Sequence, residues 1–265
     1  MPELPSPSAQ RAPAPHCAVI VMSCDAYRDL WRPFFTLFWR YWPDCPFRVY
    51  LGTNRLKYDD PRVTTLPAGD HEWSKRLRLC LEQIDHEYVL LLLEDYFFEV
   101  SVSNAQVIKH LKLLHALGGS VLRLYPSPGP DLEVAGQSSI GRIHRLAAYR
   151  ISTQAAIWAR GELVRMLRDD ESIWEFERKG TERSKQQLNG FYATYDAVLP
   201  YRQVVERGKW FPSAAHHYAA QQIGCDFEAR PVIGPLTALK KAINRGRKNS
   251  IGALWRLRFH SALWQ

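Results

Sequence analysis

Unbroken apolar runs, rather than alternating ones, organise the first half of the chain. Cys17-Ala-Val-Ile-Val-Met-Ser-Cys24 and Tyr88-Val-Leu-Leu-Leu-Leu93 each read as a strand buried on both faces. The second run is far too short to cross a bilayer. Between them, Tyr27 to Tyr41 carries Leu30, Trp31, Phe34, Phe35, Leu37 and Phe38, so a helix is predicted there, stopped by Pro43 and Pro46. Phe47 to Leu51 reads as a short strand with Gly52-Thr53-Asn54 as its exit loop, and Val63 to Leu66 as another. Trp73 to Ile84 has helical spacing (Leu77, Leu79, Cys80, Ile84) and a basic face of Lys75, Arg76 and Arg78. A further helix is predicted from Asn104, as N-cap, to Leu117, closed by Gly118-Gly119, with a strand from Val121 to Tyr125. This alternation implies an α/β fold with a mostly parallel, helix-covered sheet.

Past Pro126-Ser-Pro-Gly-Pro130 the pattern weakens. A hairpin within Ile140 to Ile151 and a helix from Ala159 to Leu167 are expected, and the remainder reads as irregular and aromatic-rich. No internal repeat is visible. The organisation expected is a disordered lead over 1–16, one domain over 17–235 divided into halves 17–125 and 126–235, and a separate tail over 236–265.

The chemistry begins where the second apolar run ends, in Glu94 and Asp95. Acids at the carboxyl tip of a buried strand contribute nothing to its burial, whereas ligands of open α/β sheets bind at that edge. Asp25 follows the first strand and is expected on the same edge. Three converging carboxylates on a basic protein suit a nucleotide-sugar donor, one acid holding base or ribose and another a divalent cation on the diphosphate. Trp73-Ser-Lys75-Arg76 adds a stacking ring and two cations near a helix start. A second knot, Asp169-Asp-Glu-Ser-Ile-Trp-Glu-Phe-Glu177, sets Glu175 and Glu177 beside aromatics, a setting that raises a carboxylate toward general-base duty. Gly208 permits a tight turn that aims Lys209 at a phosphate, and His216 or His217 is a candidate metal ligand or base. Each feature also has a plain structural reading, as a solvated turn or a solvated helix face.

Composition narrows the field. The chain has 265 residues, 46% of them apolar, enough for one substantial core. Five scattered cysteines without CxxC spacing argue against a disulfide framework or zinc site and favour a reducing cytosol, with Cys17 and Cys24 as core fillers. The Pro- and Ala-rich N-terminus lacks the apolar stretch of a secretory signal. The net charge of +8 is concentrated in residues 236–265, where Lys240, Lys241, Arg245, Arg247, Lys248, Arg256 and Arg258 alternate with aliphatic and aromatic residues and no acid. Such a tail suits an anionic membrane surface, nucleic acid, or packing on the body of the protein. Neither GxGxxG, Walker A nor GxSxG is present, which disfavours dinucleotide, P-loop and hydrolase chemistry.

The blocks Ser23-Cys-Asp-Ala-Tyr-Arg-Asp-Leu-Trp-Arg-Pro-Phe-Phe35, Trp42-Pro-Asp-Cys-Pro46, Trp73-Ser74 and Leu92-Leu-Glu-Asp-Tyr-Phe97 resemble a group of bacterial glycosyltransferase-like proteins of polysaccharide and lipopolysaccharide biosynthesis. Ile151-Ser-Thr-Gln-Ala-Ala-Ile-Trp158, the Glu171 to Glu177 knot and Gly208-Lys-Trp210 are similar to later blocks of that group. The resemblance implies a GT-A fold, with 17–125 as the nucleotide-sugar half and 126–235 as the acceptor half. It also implies a divalent metal, Mn2+ or Mg2+, near Asp95; His216 is a candidate further ligand on the residues' own reading. In place of the customary Asp-x-Asp the chain has Glu94-Asp95-Tyr96, so both carboxylates reach one ion only if the backbone turns there. Glu175, in preference to Glu177, is implied as the base of an inverting transfer. The expected acceptor is a polysaccharide or lipid-linked glycan, and the expected location the cytoplasm, peripheral to the membrane face. The alternatives are a non-catalytic carbohydrate-binding scaffold and a nucleotidyltransferase. The latter would need a glycine-rich loop where Met22-Ser-Cys-Asp-Ala-Tyr27 has none.

Overall fold

A computed structural model describes residues 16–187 and 190–234. The expected Pro-rich lead and basic tail lie almost wholly outside the described residues. Thirteen strands and six α-helices are described. The strands are β1 (Cys17–Met22), β2 (Arg48–Thr53), β3 (Val63–Pro67), β4 (Tyr88–Leu93), β5 (Tyr96–Phe98), β6 (Val121–Arg123), β7 (Leu132–Val134), β8 (Gln137–Arg142), β9 (Ala156–Ala159), β10 (Phe191–Thr194), β11 (Tyr201–Gln203), β12 (Val205–Glu206) and β13 (Lys209–Trp210). The helices are α1 (Trp31–Tyr41), α2 (Trp73–Glu82), α3 (Asn104–Ala116), α4 (Arg160–Met166), α5 (Ile173–Ser184) and α6 (Pro212–Ala219), with a 3-10 turn over Asp25–Leu30 leading into α1.

Nine strands form one sheet in the order β3-β2-β1-β4-β9-β6-β10-β8-β7. β3, β2, β1 and β4 are mutually parallel, as are β6 and β10. β9 runs antiparallel to both β4 and β6, and β8 antiparallel to β10 and β7. The fold is thus α/β with a large, mostly parallel central sheet. β1 and β4 are buried at every residue, which is why their sequences are continuous apolar runs and not alternating ones. α1 buries Phe34 and Phe38 against Phe98 of β5, the Phe38 and Phe98 rings stacked at 5.5 Å, while Phe35 stacks on Tyr58.

The chain leaves β1 toward β2 on one side and returns through α2 to β4 on the other, so the strand order reverses between β1 and β4. Side chains leaving those two adjacent carboxyl ends meet in the crevice where open α/β sheets take ligands. Beyond Glu94 and Asp95 the chain turns into β5, which pairs with β11 in a separate two-stranded ribbon.

Several expected elements differ. The helix anticipated from Tyr27 is a 3-10 turn that becomes α-helical at Trp31. Ser103, not Asn104, caps α3, accepting from the Gln106 amide, while Asn104 accepts from the Trp42 indole and donates to Asp44. The hairpin lies earlier than expected, over β7 and β8. The stretch read as irregular contains β9 at the sheet's centre, α5, β10, the β12–β13 hairpin and α6. All five cysteines are free, Cys17 and Cys80 being buried. No helix among the described residues is long and apolar enough to cross a membrane.

Candidate functional site

Glu94 and Asp95 occupy the turn that links β4 to β5, and both are buried, at 7% and 9% exposure. The chain does turn there, and the charge of Asp95 is felt at Glu94. Asp95 is braced from the distant β11–β12 junction. Its carbonyl accepts the Val204 amide at 2.9 Å and its Oδ2 the Gln203 side-chain amide at 3.3 Å. Its Oδ1 is buried and has no protein partner among the described residues. Burial, chiefly, raises the pKa of both acids; Asp95 adds to the shift at Glu94, which Ser23 and Arg76 partly offset. The two acids are thus buried neighbours, and one of their oxygens is without a partner among the described residues.

Arg76 stands where the sequence placed it, but buried and not on a solvated face. Its Nη1 donates to the Ser23 carbonyl at the end of β1, and its Nε to the His71 carbonyl at 3.2 Å. Trp73, at the first position of α2, is buried against Phe176 of α5 with ring centroids 5.4 Å apart, and its indole nitrogen has no partner among the described residues. Lys75 is half-buried on the same helix.

A second cation was not anticipated. Arg230 donates through Nε to Asp29 Oδ2 at 2.8 Å and through Nη2 to Asp29 Oδ1 and the Ala26 carbonyl, and lies 4.3 Å over the Tyr27 ring. It contributes favourable charge at both Glu94 and Asp95. The Tyr27 hydroxyl bonds the Gly208 backbone at the tip of the β12–β13 hairpin. Arg207 and Gly208 there have φ of +49° and +74°, the left-handed pair that a two-residue hairpin demands. Gly208 therefore makes the tight turn expected of it, and Lys209 follows, exposed, on β13.

Other expected residues have different duties. Asp25 accepts the backbone amides of Asn54, Arg55 and Leu56 at 3.1 to 3.3 Å, fixing the loop after β2 to the end of β1. Its carboxylate is occupied by the protein itself. Glu175 is the third residue of α5 and closes a capping box. Its Oε2 accepts from the Ser172 amide (3.1 Å) and hydroxyl (2.8 Å), and Lys179 pairs with Oε1 at 3.1 Å. These Ser172 bonds, then Lys179, hold its pKa down at about 2, and both of its oxygens are engaged by the cap and by Lys179. The signature Ser172-Ile-Trp-Glu175 announces that box in the sequence. Glu171 and Asp169 are engaged in ion pairs with Arg183 and Arg78. His216 is exposed on α6, and no group of three or more His, Cys, Asp or Glu among the described residues is arranged to hold a metal.

Glu177, one half-turn beyond Glu175, faces elsewhere. It lines a cleft of about 1190 Å3 together with Tyr125, Tyr149, Gln154, Tyr201 and Gln203. The Thr153 amide (2.7 Å) and hydroxyl (2.8 Å) both donate to its Oε1, fixing the carboxylate while Oε2 keeps its lone pairs. Gln203 belongs to both places, lining the cleft and holding Asp95. Tyr201 stacks between Tyr96, next to Asp95, and Tyr125, at 4.2 and 4.4 Å. Thus the strand-tip acids and the Glu177 cleft adjoin. Gln203, Tyr201 and Arg230 carried no local signal, because their partners lie far away in sequence.

No protein-family model and no curated protein matches the chain. Among solved structures, residues 1–349 of Staphylococcus aureus TarS align at 13% identity over 70% of this chain and 59% of that one, with a TM-score of 0.46. The same portion of TarS in complex with UDP-GlcNAc aligns at 13% identity over 70% of this chain and 57% of that one, with a TM-score of 0.43. The mannosyltransferase PcManGT from Pyrobaculum calidifontis, in complex with GDP-Man and Mn2+, aligns at 15% identity over 73% of this chain and 58% of that one, with a TM-score of 0.45. The chain thus spans less than two thirds of the length of each.

Proposed function

We propose that the protein is a glycosyltransferase that moves a sugar from a nucleotide-sugar donor to a glycan acceptor with inversion, on a GT-A type of sheet. The observation that carries this reading is the contiguity, through Gln203, of two buried acids at the sheet's switch point with a cleft holding a carboxylate fixed on one oxygen.

The donor lies across the ends of β1 and β4, with Arg76 and Arg230 supplying positive charge around its diphosphate and Lys75, Arg207 and Lys209 nearby in sequence on the bordering elements. Glu94 and Asp95 fit Mn2+ or Mg2+, because such ions take one or two carboxylates and complete their shell with substrate phosphates and water. When bound, the cation would neutralise charge on the departing nucleoside diphosphate. The acceptor enters the cleft. Glu177 takes the proton of its hydroxyl as that oxygen attacks the anomeric carbon, and the bond to the diphosphate breaks on the opposite face. Thr153 holds Glu177 in place during the proton transfer. A polysaccharide or lipid-linked acceptor and a cytoplasmic, membrane-peripheral location remain part of this proposal through the basic tail.

Melting curves of the full chain with UDP, GDP, CMP and dTDP, each with and without Mn2+ or Mg2+, test the donor assignment. One nucleoside diphosphate should raise the melting temperature, by mass action. The absence of any shift would turn the reading toward a carbohydrate-binding scaffold. Glu177→Gln should then lower transfer by roughly 10²- to 10⁴-fold with donor binding intact, whereas Glu175→Gln should not.

A further inference from the structure

Trp174 is the one tryptophan among the described residues that stands exposed, at 54%. It is the second residue of α5, and neither the helix cap nor the core employs it. The capping box belongs to Ser172 and Glu175, and Phe176 is the ring that α5 buries against Trp73. Leaving an indole in water forgoes one of the largest burials a side chain offers. The cation that packs on it is Arg207, whose guanidinium carbon lies 5.5 Å from the ring centroid. One face of the indole is thus covered, and the residue stays more than half open.

Arg207 is itself an unfavoured choice. It occupies the first left-handed position of the β12–β13 hairpin, at φ +49°. Such a turn prefers Asn, Asp or Gly there, because any larger residue crowds its Cβ against the next carbonyl. A long side chain kept at that cost points to a duty outside the turn, and its contact with Trp174 supplies one.

Placement gives the pair its meaning. Trp174 precedes Glu177 by three residues, so the two share one side of α5, with Cβ atoms about 5–6 Å apart. That spacing is close to the width of one pyranose ring. Glu177 lines the cleft. The hairpin that carries Arg207 reaches the strand tips, for the Gly208 backbone bonds the Tyr27 hydroxyl and the charge of Glu206 is felt at Asp95. The indole therefore stands between the carboxylate proposed as base and the acids at the end of β4. A pyranose presents a C–H face that suits an aromatic ring, and hydroxyls at its edge that suit a nearby carboxylate.

We infer that Trp174 is the residue on which the acceptor's terminal sugar stacks, its open indole face setting one sugar hydroxyl toward Glu177 while Arg207 holds the other face. This rests on the transferase reading above and adds to it the subsite beside the base. Trp174 is a binding residue and Arg207 a positioning residue. A nucleobase is the other ring that such an indole could take, and the test separates the two.

The test uses the full chain. Calorimetry measures binding of tetrasaccharides of glucose, galactose, mannose and N-acetylglucosamine, and melting curves measure binding of UDP and GDP. Trp174→Ala should weaken glycan binding by about tenfold and leave the unfolding midpoint and the nucleotide-induced shift near native, since the ring is exposed. Trp174→Tyr keeps a ring and should restore most of the affinity. Arg207→Asn suits the left-handed turn, so its midpoint should stay near native while glycan affinity falls about threefold. Arg207→Lys, which keeps a cation, should lose less. A Trp174→Ala affinity within about twofold of native, or no glycan binding by the native chain, would overturn the inference. So would a Trp174→Ala chain that loses its nucleotide shift, which would assign the ring to the base of the donor. Glycan binding without nucleotide binding by the native chain would sink the transferase and leave the stacking ring standing. Nucleotide binding without glycan binding would sink this inference alone.

Discussion

The pair of Arg230 and Asp29 should behave as a buried ion pair that fixes residues 226–233 over the start of α1. Arg230 and Asp29 are only 6% and 13% exposed at their side chains. At that depth solvent screens little, so the modest value of a surface pair, about 1 kcal/mol or less, does not apply. Asp29→Ala removes two charge-assisted bonds and leaves a buried guanidinium bonded to the Ala26 carbonyl and lying over the Tyr27 ring, with Glu94 and Asp95 acting on it only through the longer-range field. Stranding one member of such a pair typically costs about 3–5 kcal/mol. At roughly 2–4 °C per kcal/mol for a domain of this size, the melting temperature should fall by about 10 °C. Replacing both partners with apolar residues, as Asp29→Leu with Arg230→Met, removes the stranded charge and should recover most of the loss. Urea unfolding of Asp29→Leu, Arg230→Met and their double, read as a double-mutant cycle, measures the coupling. The stable double variant should still bind a nucleoside diphosphate less tightly, because Arg230 no longer offsets Glu94 and Asp95. A loss below about 1 kcal/mol in Asp29→Ala, or simple addition of the single losses in the double, would refute the reasoning.

Two further outcomes follow from the same geometry. Burial raises the pKa of Glu94 and Asp95, so between the ordinary carboxylate range and about pH 8 the folded chain holds protons that the unfolded chain has released. Stability contributed by these protonated acids is therefore complete at low pH and lost as pH rises, by about 1.4 kcal/mol per pH unit for each extra proton held. Glu94→Gln with Asp95→Asn should flatten that slope in unfolding measured from pH 5 to 7.5, and an unchanged slope would contradict the burial argument. Ser172→Ala should cost about 1 kcal/mol through loss of the α5 cap, and no change in urea midpoint would mean the box is absent in solution.

Residues that owe their state to near neighbours were legible in the sequence. β1 and β4 announce themselves because burial on both faces demands unbroken apolar runs, and the acids at the tip of β4 are conspicuous against that background. α1 and α2 follow from spacing alone. β9 was not legible. Its four residues, Ala156-Ile-Trp-Ala159, become a strand only by pairing with β4 on one side and β6 on the other. Glu175 and Glu177 illustrate the same limit within one helix. Two residues apart, they point to opposite sides, and only the cap on one and the cleft beside the other assign their duties. Arg230 was invisible because Asp29, its partner, is 201 residues away.

The junction of β11 with the acid-bearing turn also sets an order of assembly. Asp95 is gripped by Gln203, 108 positions later in the chain, and β5 has no ribbon until β11 arrives. Closing so long a loop is slow and comes after local contacts have formed. During synthesis the sheet's first four strands can therefore pair while the acids still lack their brace. A chain halted before residue 201 would have the acid-bearing turn in outline and neither Gln203 to hold Asp95 nor β11 to pair with β5.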